Sequence, residues 1–300
     1  MKDFPDDAAC LDWLWRTRYS DDGQHAMCSR CESTTRFRKY ETKQQRQSWT
    51  CTQCGLHVHP TAGTIYHKSS TSLQLWFYAM YLMTSTRCGI SAKQIERELG
   101  VTYKTAWRMC HLIRRELMPQ ETAALSGEVE MDETFVGGKP RLADRVRKAD
   151  GSFKKGKVGK KKAMVFGAVE RGGKVRAIVL AEGQRDTIGT YARKMVLPES
   201  TVFTDEYVGY NKVGTEFAAH HRIRHAENVY VSGDVHTQTI EGFWALVKNG
   251  IRGVYHSVSA KHLQTYLNEY TWRYNHRHDG ASMFLTVIMN SAQECQSAKA

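Results

Sequence analysis

Carboxylates that interrupt apolar strands constrain the fold of this chain more than any other feature. Asp132 lies inside the segment Glu-Val-Glu-Met-Asp-Glu-Thr-Phe-Val of residues 128–136, and Asp205 directly follows the run Thr-Val-Phe-Thr of residues 201–204. A buried carboxylate is costly unless it is paired or binds a metal. The two segments therefore predict strands whose acidic residues serve a site, although each acid taken alone is more often a solvated surface residue.

A third acidic residue, Glu241, lies on a segment with helical periodicity that Gly250 is predicted to end. The apolar residues that recur at helical spacing are Ile240, Phe243, Trp244 and Val247. Lys248 follows Glu241 by seven positions, close to two turns, so both side chains share one helix face. Carboxylates from two strands and a helix can hold two divalent cations, which supports in-line phosphoryl transfer. Because Mg²⁺ prefers carboxylate oxygen, these residues predict a magnesium site.

Other side chains remain alternatives for the third ligand of this site. Gln238 lies one turn before Glu241, and Asp234 and Asp186 are further reserves. The direct neighbours of the two aspartates are weaker candidates, because successive strand residues point to opposite faces. These neighbours are Glu133 and Glu206.

Four cysteines near the amino terminus form two Cys-x-x-Cys pairs separated by 19 residues. They are Cys28, Cys31, Cys51 and Cys54. This spacing is typical of a structural zinc site, in which four thiolates close a tetrahedron. Short strands predicted at residues 35–40 and 47–50 favour a zinc ribbon over a redox pair. The histidines that remain as alternative ligands are His57, His59 and His67, and the cysteines without ligand spacing are Cys10, Cys88, Cys110 and Cys295.

Two short helices are predicted after an apolar helix at residues 73–83. Ser91 is the expected N-cap, with Gln94 at the capping-box position, and Gly100 is the stop signal. The arrangement resembles a helix-turn-helix, whose second helix enters the major groove of DNA. That helix would present Tyr103, Lys104 and Arg108 to DNA. A plain helical hairpin in the core is the alternative.

A lysine-rich segment at residues 139–162 follows the strand of Asp132. Its clustered lysines are Lys154, Lys155, Lys157, Lys160, Lys161 and Lys162. Such a cationic segment beside a phosphodiester-cleaving site is expected to hold DNA, and a solvated insertion is the alternative. The elements expected beyond it are a hairpin of residues 163–169 and 175–180, a helix at 186–196, a strand at 201–205 and a helix at 260–274.

The 300 residues carry a net charge of +12, which favours a polyanionic partner, most often nucleic acid. No apolar run approaches the roughly 18 residues of a membrane-spanning helix, and no secretory pattern opens the chain. We therefore expect a cytoplasmic protein with reduced cysteines, associated with the nucleoid when bound to DNA, and no membrane partner.

Several stretches resemble the DDE transposases of bacterial insertion sequences, specifically the group with an N-terminal zinc ribbon. The stretches are Met-Asp-Glu-Thr-Phe-Val-Gly-Gly-Lys at 131–139, Thr-Asp-Glu-Tyr-Val-Gly-Tyr at 204–210, and residues 236–252, 254–263 and 273–277. The resemblance implies a mixed α/β fold with an RNase H-like (integrase-like) catalytic domain at residues 127–280. Before it we expect a DNA-binding zinc ribbon at 1–66 and a helix-turn-helix-like region at 67–126, and after it a C-terminal tail at 281–300.

The resemblance also implies an activity. Asp132, Asp205 and Glu241 would hold two Mg²⁺ ions, with Mn²⁺ as an alternative, and Lys248 would be the basic residue of the catalytic helix. The enzyme would cut double-stranded DNA at the transposon terminal repeats and join the freed 3′ hydroxyl to target DNA, as a homo-oligomer in the synaptic complex. A DNA-binding regulator or decayed transposase with an inactive catalytic domain is the alternative. A general nuclease on the same fold is a third possibility.

Overall fold

In the computed structural model, the chain divides into an amino-terminal unit, Met1–Met118 with Asp279–Ala300, and a central unit, Pro119–His278. The residues that the structure describes are 2–41, 47–86, 88–137, 149, 151–152, 162–180, 188–211, 213, 215–223, 236–279 and 282–295. No helix within these ranges is long and apolar enough to cross a membrane.

The helices and strands alternate in a way that fits a mixed α/β class. The helices are α1 Asp7–Tyr19, α2 Leu73–Ser85, α3 Ala92–Leu99, α4 Tyr103–Leu112, α5 Ile188–Met195, α6 Gln238–Gly250, α7 Ala260–Asn275 and α8 Met283–Ser291. The strands are β1 His25–Cys28, β2 Ser33–Glu41, β3 Gln47–Cys51, β4 His57–Val58, β5 Glu128–Val136, β6 Ala163–Glu170, β7 Val175–Leu180, β8 Thr201–Thr204 and β9 Ala219–Arg222. The mixed α/β class expected from the sequence is thus confirmed.

The amino-terminal unit begins with a small antiparallel sheet in the order β1-β2-β3-β4. Its two central strands contain the predicted strands at residues 35–40 and 47–50, which are confirmed. Helix α1 packs on this sheet, with the Trp15 ring stacked 4.9 Å from that of Trp49. A sheet of four short strands cannot bury a large apolar core. Its fold therefore depends on stabilising interactions besides hydrophobic packing.

Helices α3 and α4 form the predicted pair. Ser91 Oγ accepts a 3.1 Å hydrogen bond from the Gln94 amide, and Gly100 ends α3 with a φ of 64°. The Gln94 side chain donates to Glu98 instead of returning to Ser91, so only half of the expected capping box forms. The N-cap and the stop signal are confirmed, because each depends on one residue and its local backbone.

Helix α8 lies in the segment expected only to be a C-terminal tail, for which no helix or strand is predicted from the sequence. Ser282 caps it, and Ser291 near its end accepts a 2.6 Å hydrogen bond from the buried Tyr66 hydroxyl. The Cys295 amide donates to the Gly63 carbonyl at 2.9 Å. These contacts tie residues 282–295 to the amino-terminal unit.

The central unit is built on a five-stranded sheet in the order β7-β6-β5-β8-β9. Strands β5, β6 and β7 are antiparallel to one another, whereas β8 and β9 run parallel to β5. Helix α5 covers one face of this sheet, and α6 and α7 cover the other. Met131 belongs to the α5 side and Val136 to the α6 side, so the alternation along β5 turns Asp132 towards α6.

Two glycines let the helices approach closely. Gly167 stands opposite Asp132 in the β5–β6 register, and a Cβ there would lie 2.6 Å from the Trp244 ring. The α-helical part of α6 ends at Gly250, as expected, but the chain continues directly into a π-helical turn, Ile251–Tyr255. A Cβ on Gly250 would lie 1.7 Å from the Tyr270 hydroxyl, so this glycine makes room for α7.

Amide side chains satisfy the outer edge of β7. The carbonyl oxygen of each side-chain amide accepts a hydrogen bond from the backbone N–H of one strand residue, as a neighbouring strand would. This keeps the edge from pairing with another chain and fixes α7 along it. The pairs are Asn275 with Val175, Gln120 with Ala177, and Gln264 with Val179.

Candidate active site

Asp132 lies half-buried in the middle of β5, on the side covered by α6. Burial raises the pKa of its carboxyl to about 7, and the charges of Glu133 and Asp205 add to the shift. The Trp244 indole N–H lies near enough to oppose this shift weakly, although it forms no well-aligned hydrogen bond within the described residues. Without a cation, the site therefore disfavours a full set of ionised carboxylates.

Asp205 follows the end of β8, the parallel neighbour of β5. Glu130 on β5 pairs with Phe203 on β8. Asp132 and Asp205 each follow these partners by two residues, so the two aspartates stand level with each other. Its Oδ1 accepts a 3.0 Å hydrogen bond from the Tyr207 amide, which fixes the carboxylate in a turn. The structure thus brings the two aspartates close enough for their charges to interact.

Glu133 adds a third carboxylate to this pair, although it points to the other face of β5. Its Oε2 accepts a 2.8 Å hydrogen bond from the hydroxyl of the buried Tyr210. Burial raises the pKa of Glu133; the Tyr210 hydrogen bond opposes that shift and the charge of Asp205 adds to it. The sequence ranked Glu133 as a weak ligand candidate, and the structure gives it an electrostatic connection to both aspartates.

Glu241 lies in the first turn of α6, on an exposed part of the helix. Its Oε1 accepts a 3.1 Å hydrogen bond from the Thr237 hydroxyl. Asp132, Asp205 and Glu241 do not all converge within 4.8 Å, a distance that only four cysteines reach within the described ranges. The assignment of Glu241 as third ligand therefore stays a prediction.

The remaining candidates of the site are spread along α6 and beyond it. Gln238 is exposed at the start of α6, and Lys248 is half-buried near its end. Glu206 is exposed beside Asp205. Asp186 and Asp234 lie outside the described residues.

The acidic residues fit a divalent cation in their chemistry. The negative charges of Glu133 and Asp205 help to raise the pKa of Asp132, because like charges repel in a partly desolvated site. A divalent cation would relieve that repulsion, and carboxylate oxygen is its preferred ligand. The donor set of Asp132 and Asp205, with Glu133 beside them, is therefore suitable for Mg²⁺ or Mn²⁺.

Glu130 is a residue of this region that the sequence argument missed. Its carboxylate is fully buried and binds Arg171, with Nε 3.0 Å from Oε1, as well as the backbone of Thr239 and Ile240. The available signal was its position two residues before Asp132, which gives both side chains the same strand face. Like Asp132, Glu130 is an acid inside an apolar strand, where a buried carboxylate needs a partner or a metal.

The four predicted zinc ligands lie together in the amino-terminal unit. Their sulfur atoms are all within 4.8 Å of one another, so the group could hold a metal ion. The sulfur atoms of Cys28 and Cys54 are 3.6 Å apart, and those of Cys31 and Cys51 are 3.9 Å apart. Each of these close sulfur pairs contains one cysteine from each Cys-x-x-Cys motif (the two knuckles), as a tetrahedral site requires.

Both knuckles close with the same backbone turn. The Glu32 amide donates to the Cys28 carbonyl at 2.8 Å, and the Gly55 amide donates to the Cys51 carbonyl at 3.0 Å. Glu32 and Gly55 have φ values of 52° and 76°, which release the chain after each pair. Because each motif forms the same local turn, two short motifs far apart in sequence adopt matching conformations.

Hydrogen bonds distribute the protons among these thiols. The Thr35 hydroxyl, 3.2 Å from Cys51 Sγ, is the main cause that lowers the pKa of Cys51 to about 6. The hydrogen bond with Cys54 is the main cause that raises the pKa of Cys31 to about 12. Zinc binds cysteine as the thiolate, so a metal ion would displace the protons that remain on these sulfurs.

The candidate DNA-contact residues of α4 are exposed. Tyr103, Lys104 and Arg108 lie on its outer face, and Lys93 Nζ lies 5.9 Å from the centre of the Tyr103 ring. Lys162 is exposed at the start of β6. The other lysines of the basic segment lie outside the described residues: Lys154, Lys155, Lys157, Lys160 and Lys161.

Comparison with known proteins gives consistent matches. The family described as ISXO2-like transposase domain matches residues 124–275. A protein of Halobacterium salinarum, described as an uncharacterized protein in transposable element ISH50, is 27% identical over 279 residues, covering 91% of this chain and 92% of the relative. An uncharacterized transposase-like protein of Haemophilus influenzae is 28% identical over 102 residues, covering 34% of this chain and 81% of the relative.

Proposed function

The chain belongs to the ISXO2-like transposase family and is a DDE transposase of an insertion sequence, and we propose that it binds transposon ends and catalyses Mg²⁺-dependent strand cleavage and strand transfer. One observation carries this proposal. Asp132 and Asp205 lie at matching heights on neighbouring parallel strands, on a sheet whose face is covered by the helix of Glu241. The relatives named for a transposable element and for a transposase support the same activity.

Asp132, Asp205 and Glu241 are the proposed ligands of two divalent cations in an RNase H-like domain. When bound, such cations stabilise the attacking and leaving oxygens of an in-line phosphoryl transfer. Asp205 is held by the Tyr207 amide, so its carboxylate is oriented before a cation binds. Glu241 would exchange its hydrogen bond from Thr237 for a cation.

Cation binding at the acidic site should depend on pH because of the proton on Asp132. A carboxyl with a pKa of about 7 binds a cation only after releasing its proton. Lys248, on the same helix as Glu241, is proposed to bind a phosphate of the DNA strand. A lysine is suited to this as a flexible point charge on a long side chain.

DNA binding is assigned to three regions. The cysteine sheet, with one structural Zn²⁺ on Cys28, Cys31, Cys51 and Cys54, and the exposed face of α4 would recognise the transposon ends. The basic segment that ends at Lys162 would hold the DNA backbone without base preference. These regions correspond to the proposed domains at residues 1–66, 67–126 and 127–280, followed by 281–300, acting in the cytoplasm as a homo-oligomer.

The experiment that tests this function is cleavage of a library of candidate transposon ends by purified protein with Mg²⁺. We expect nicking at specific ends, and we expect Asp132→Asn and Asp205→Asn to abolish it while end binding remains. A protein that binds ends but never cuts them would instead be a regulator or a decayed transposase. Cleavage without preference for ends would indicate a general nuclease.

A further inference from the structure

Glu130 is a fully buried carboxylate on β5 for which the proposed chemistry assigns no role. Its Oε2 accepts hydrogen bonds from the amides of Thr239, at 2.8 Å, and Ile240, at 3.0 Å. Its Oε1 accepts bonds of 3.0 Å from the Thr239 hydroxyl and from Arg171 Nε. His236 Nδ1 lies 3.1 Å from the same oxygen.

The two amides belong to the first turn of α6, where backbone N–H groups have no partner inside the helix. A helix usually satisfies them with the side chain of its own N-cap residue. Thr237 occupies that position in α6 but makes no capping hydrogen bond. Glu130, more than a hundred positions earlier in the chain, supplies the missing acceptor and a negative charge at the positive end of the helix.

Arg171 extends the connection to the strand ends around it. Its Nη2 donates to the His236 carbonyl at 2.9 Å, and its Nη1 donates to Glu128 at 3.1 Å. The guanidinium also lies 3.9 Å from the centre of the Phe203 ring on β8. The start of α6 is thereby fixed to β5 and packed near β8, the two strands of the aspartates.

We propose that Glu130 is a positioning residue that holds the first turn of α6, and with it Glu241, at a fixed register to Asp132 and Asp205. Ile240, whose amide Glu130 binds, directly precedes Glu241. A frayed first turn would move Glu241 away from the strands. This inference rests on the proposed function, because it concerns the placement of a proposed ligand.

Glu130 is unsuited to bind the cation itself. A carboxylate offers about four lone-pair sites, and the four hydrogen bonds from Arg171, Thr239 and Ile240 occupy them. The carboxylate is also fully inaccessible to solvent. It therefore acts through α6 and not on the substrate.

The test compares Glu130→Gln with Glu269→Gln. Both glutamates are fully buried in the central unit, and Glu269 likewise binds an arginine, Arg273 at 2.8 Å, and a hydroxyl, Tyr255 at 2.9 Å. Glu269 lies on α7, and these two partners lie on α7 and in the π-helical turn after α6, away from the first turn of α6. The pair therefore separates loss of a buried charge from loss of the α6 connection.

We expect both variants to lower the Tm. Only Glu130→Gln should slow single-turnover cleavage, by at least about tenfold, and raise the Mg²⁺ concentration needed for half-maximal rate. Its Kd for end DNA should change by less than about twofold, because Glu130 and its hydrogen-bond partners are not among the proposed DNA-contact residues. Amide hydrogen exchange in the first turn of α6 should accelerate in Glu130→Gln and stay unchanged in Glu269→Gln.

Two milder substitutions at Thr239 test the same proposal if Glu130→Gln does not fold. Thr239→Val removes only the hydroxyl donor and should give a smaller change in the same direction, whereas Thr239→Ser should behave like wild type. Equal loss of cleavage in Glu130→Gln and Glu269→Gln, or identical rates for Thr239→Val and Thr239→Ser, would overturn the proposal. If the wild type cuts no DNA, the proposed function fails. Amide hydrogen exchange still tests the positioning role in that case: an unchanged exchange rate in the first turn of α6 of Glu130→Gln would refute it.

Discussion

The Tyr210 hydroxyl donates a 2.8 Å hydrogen bond to Glu133, which connects the α5 side of the sheet to the acidic site. Burial raises the pKa of Tyr210 well above its ordinary value, and the neighbouring charge of Glu133 acts in the same direction. The phenol therefore stays protonated and acts as a permanent donor to the carboxylate.

Tyr210→Phe should destabilise the central unit, by roughly 1–3 kcal/mol for a lost hydrogen bond to a charged group. The hydrogen bond favours the ionised form of Glu133, so the loss should be larger above the pKa of Glu133 than below it. Thermal unfolding followed across a pH series that spans the titration of Glu133 measures this difference, with Tyr207→Phe as the neighbouring control. A loss that is independent of pH would contradict the charge-assisted bond.

The raised pKa of Asp132 predicts how stability and cation binding depend on pH. Its pKa is raised from 3.8 to about 7, so the folded protein binds this proton more tightly than the unfolded chain. That contribution to stability is fully present below 3.8 and is lost as the pH rises to about 7. A divalent cation acts oppositely, because it needs the deprotonated carboxylate.

Unfolding in EDTA and in Mn²⁺ across this pH range gives the measurement. We expect Mn²⁺ to raise the Tm more at about pH 8 than at about pH 6, and Asp132→Asn to remove this gain. Stabilisation by Mn²⁺ that is equal at both pH values would show that Asp132 does not control the site.

The elements that the sequence predicted are those whose signals are local. The sequence predicted strand β5 from the apolar run that Asp132 interrupts, and it predicted the start and stop of α3 from Ser91 and Gly100. The four-cysteine cluster followed from spacing alone, because each Cys-x-x-Cys turn is set by its own residues.

The features that the sequence missed depend on contacts between distant residues. Gly250 ends α6 as its position in the sequence predicts, but the sequence does not show that it also makes room for Tyr270 from the next helix. Glu130 resembled one of several acids until the amide of Thr239, 109 positions later, was found to bind it. Neither partner can be inferred without knowing how α6 and α7 lie on the sheet.

Gly250→Ala is therefore expected to destabilise the protein, although alanine in an exposed helix would stabilise by about 1 kcal/mol. The new Cβ would lie 1.7 Å from the Tyr270 hydroxyl, so the Tyr270 side chain must shift from its place against α6, at a cost of roughly 1–3 kcal/mol. Tyr270→Phe should restore part of the loss by removing the oxygen. A double-mutant cycle by urea unfolding measures the coupling, and simple additivity of the two changes would contradict the contact.

The cysteine cluster predicts about one Zn²⁺ per chain by metal analysis. Cys28→Ser combined with Cys51→Ser removes one ligand from each knuckle, so it should release the metal and unfold the small sheet. Cys88→Ser, at an exposed cysteine outside the cluster, is the control and should retain zinc. Full zinc content in the double variant would refute the assignment.

The last prediction concerns Glu241 as the third ligand. Glu241→Gln should leave the affinity for transposon ends nearly unchanged, because the cysteine sheet and α4 are the proposed recognition elements. Strand cleavage should fall by about three orders of magnitude or more, since an amide binds Mg²⁺ more weakly than a carboxylate and charge at the reacting phosphate would be less well stabilised. Single-turnover cleavage and a binding titration on the same DNA separate the two effects.

The neighbours of Glu241 provide the controls. Gln238→Ala tests the neutral side chain one turn earlier, Asp234→Asn tests the aspartate before the helix, and Glu206→Gln tests an exposed acid beside Asp205. Thr237→Val removes the hydroxyl that now binds Glu241, so it should leave cleavage intact or raise it by freeing the carboxylate for the cation. If Glu241→Gln cuts at the wild-type rate while Gln238→Ala or Asp234→Asn is inactive, the third ligand comes from the start of α6 or from the segment before it, and Glu241 is not a metal ligand.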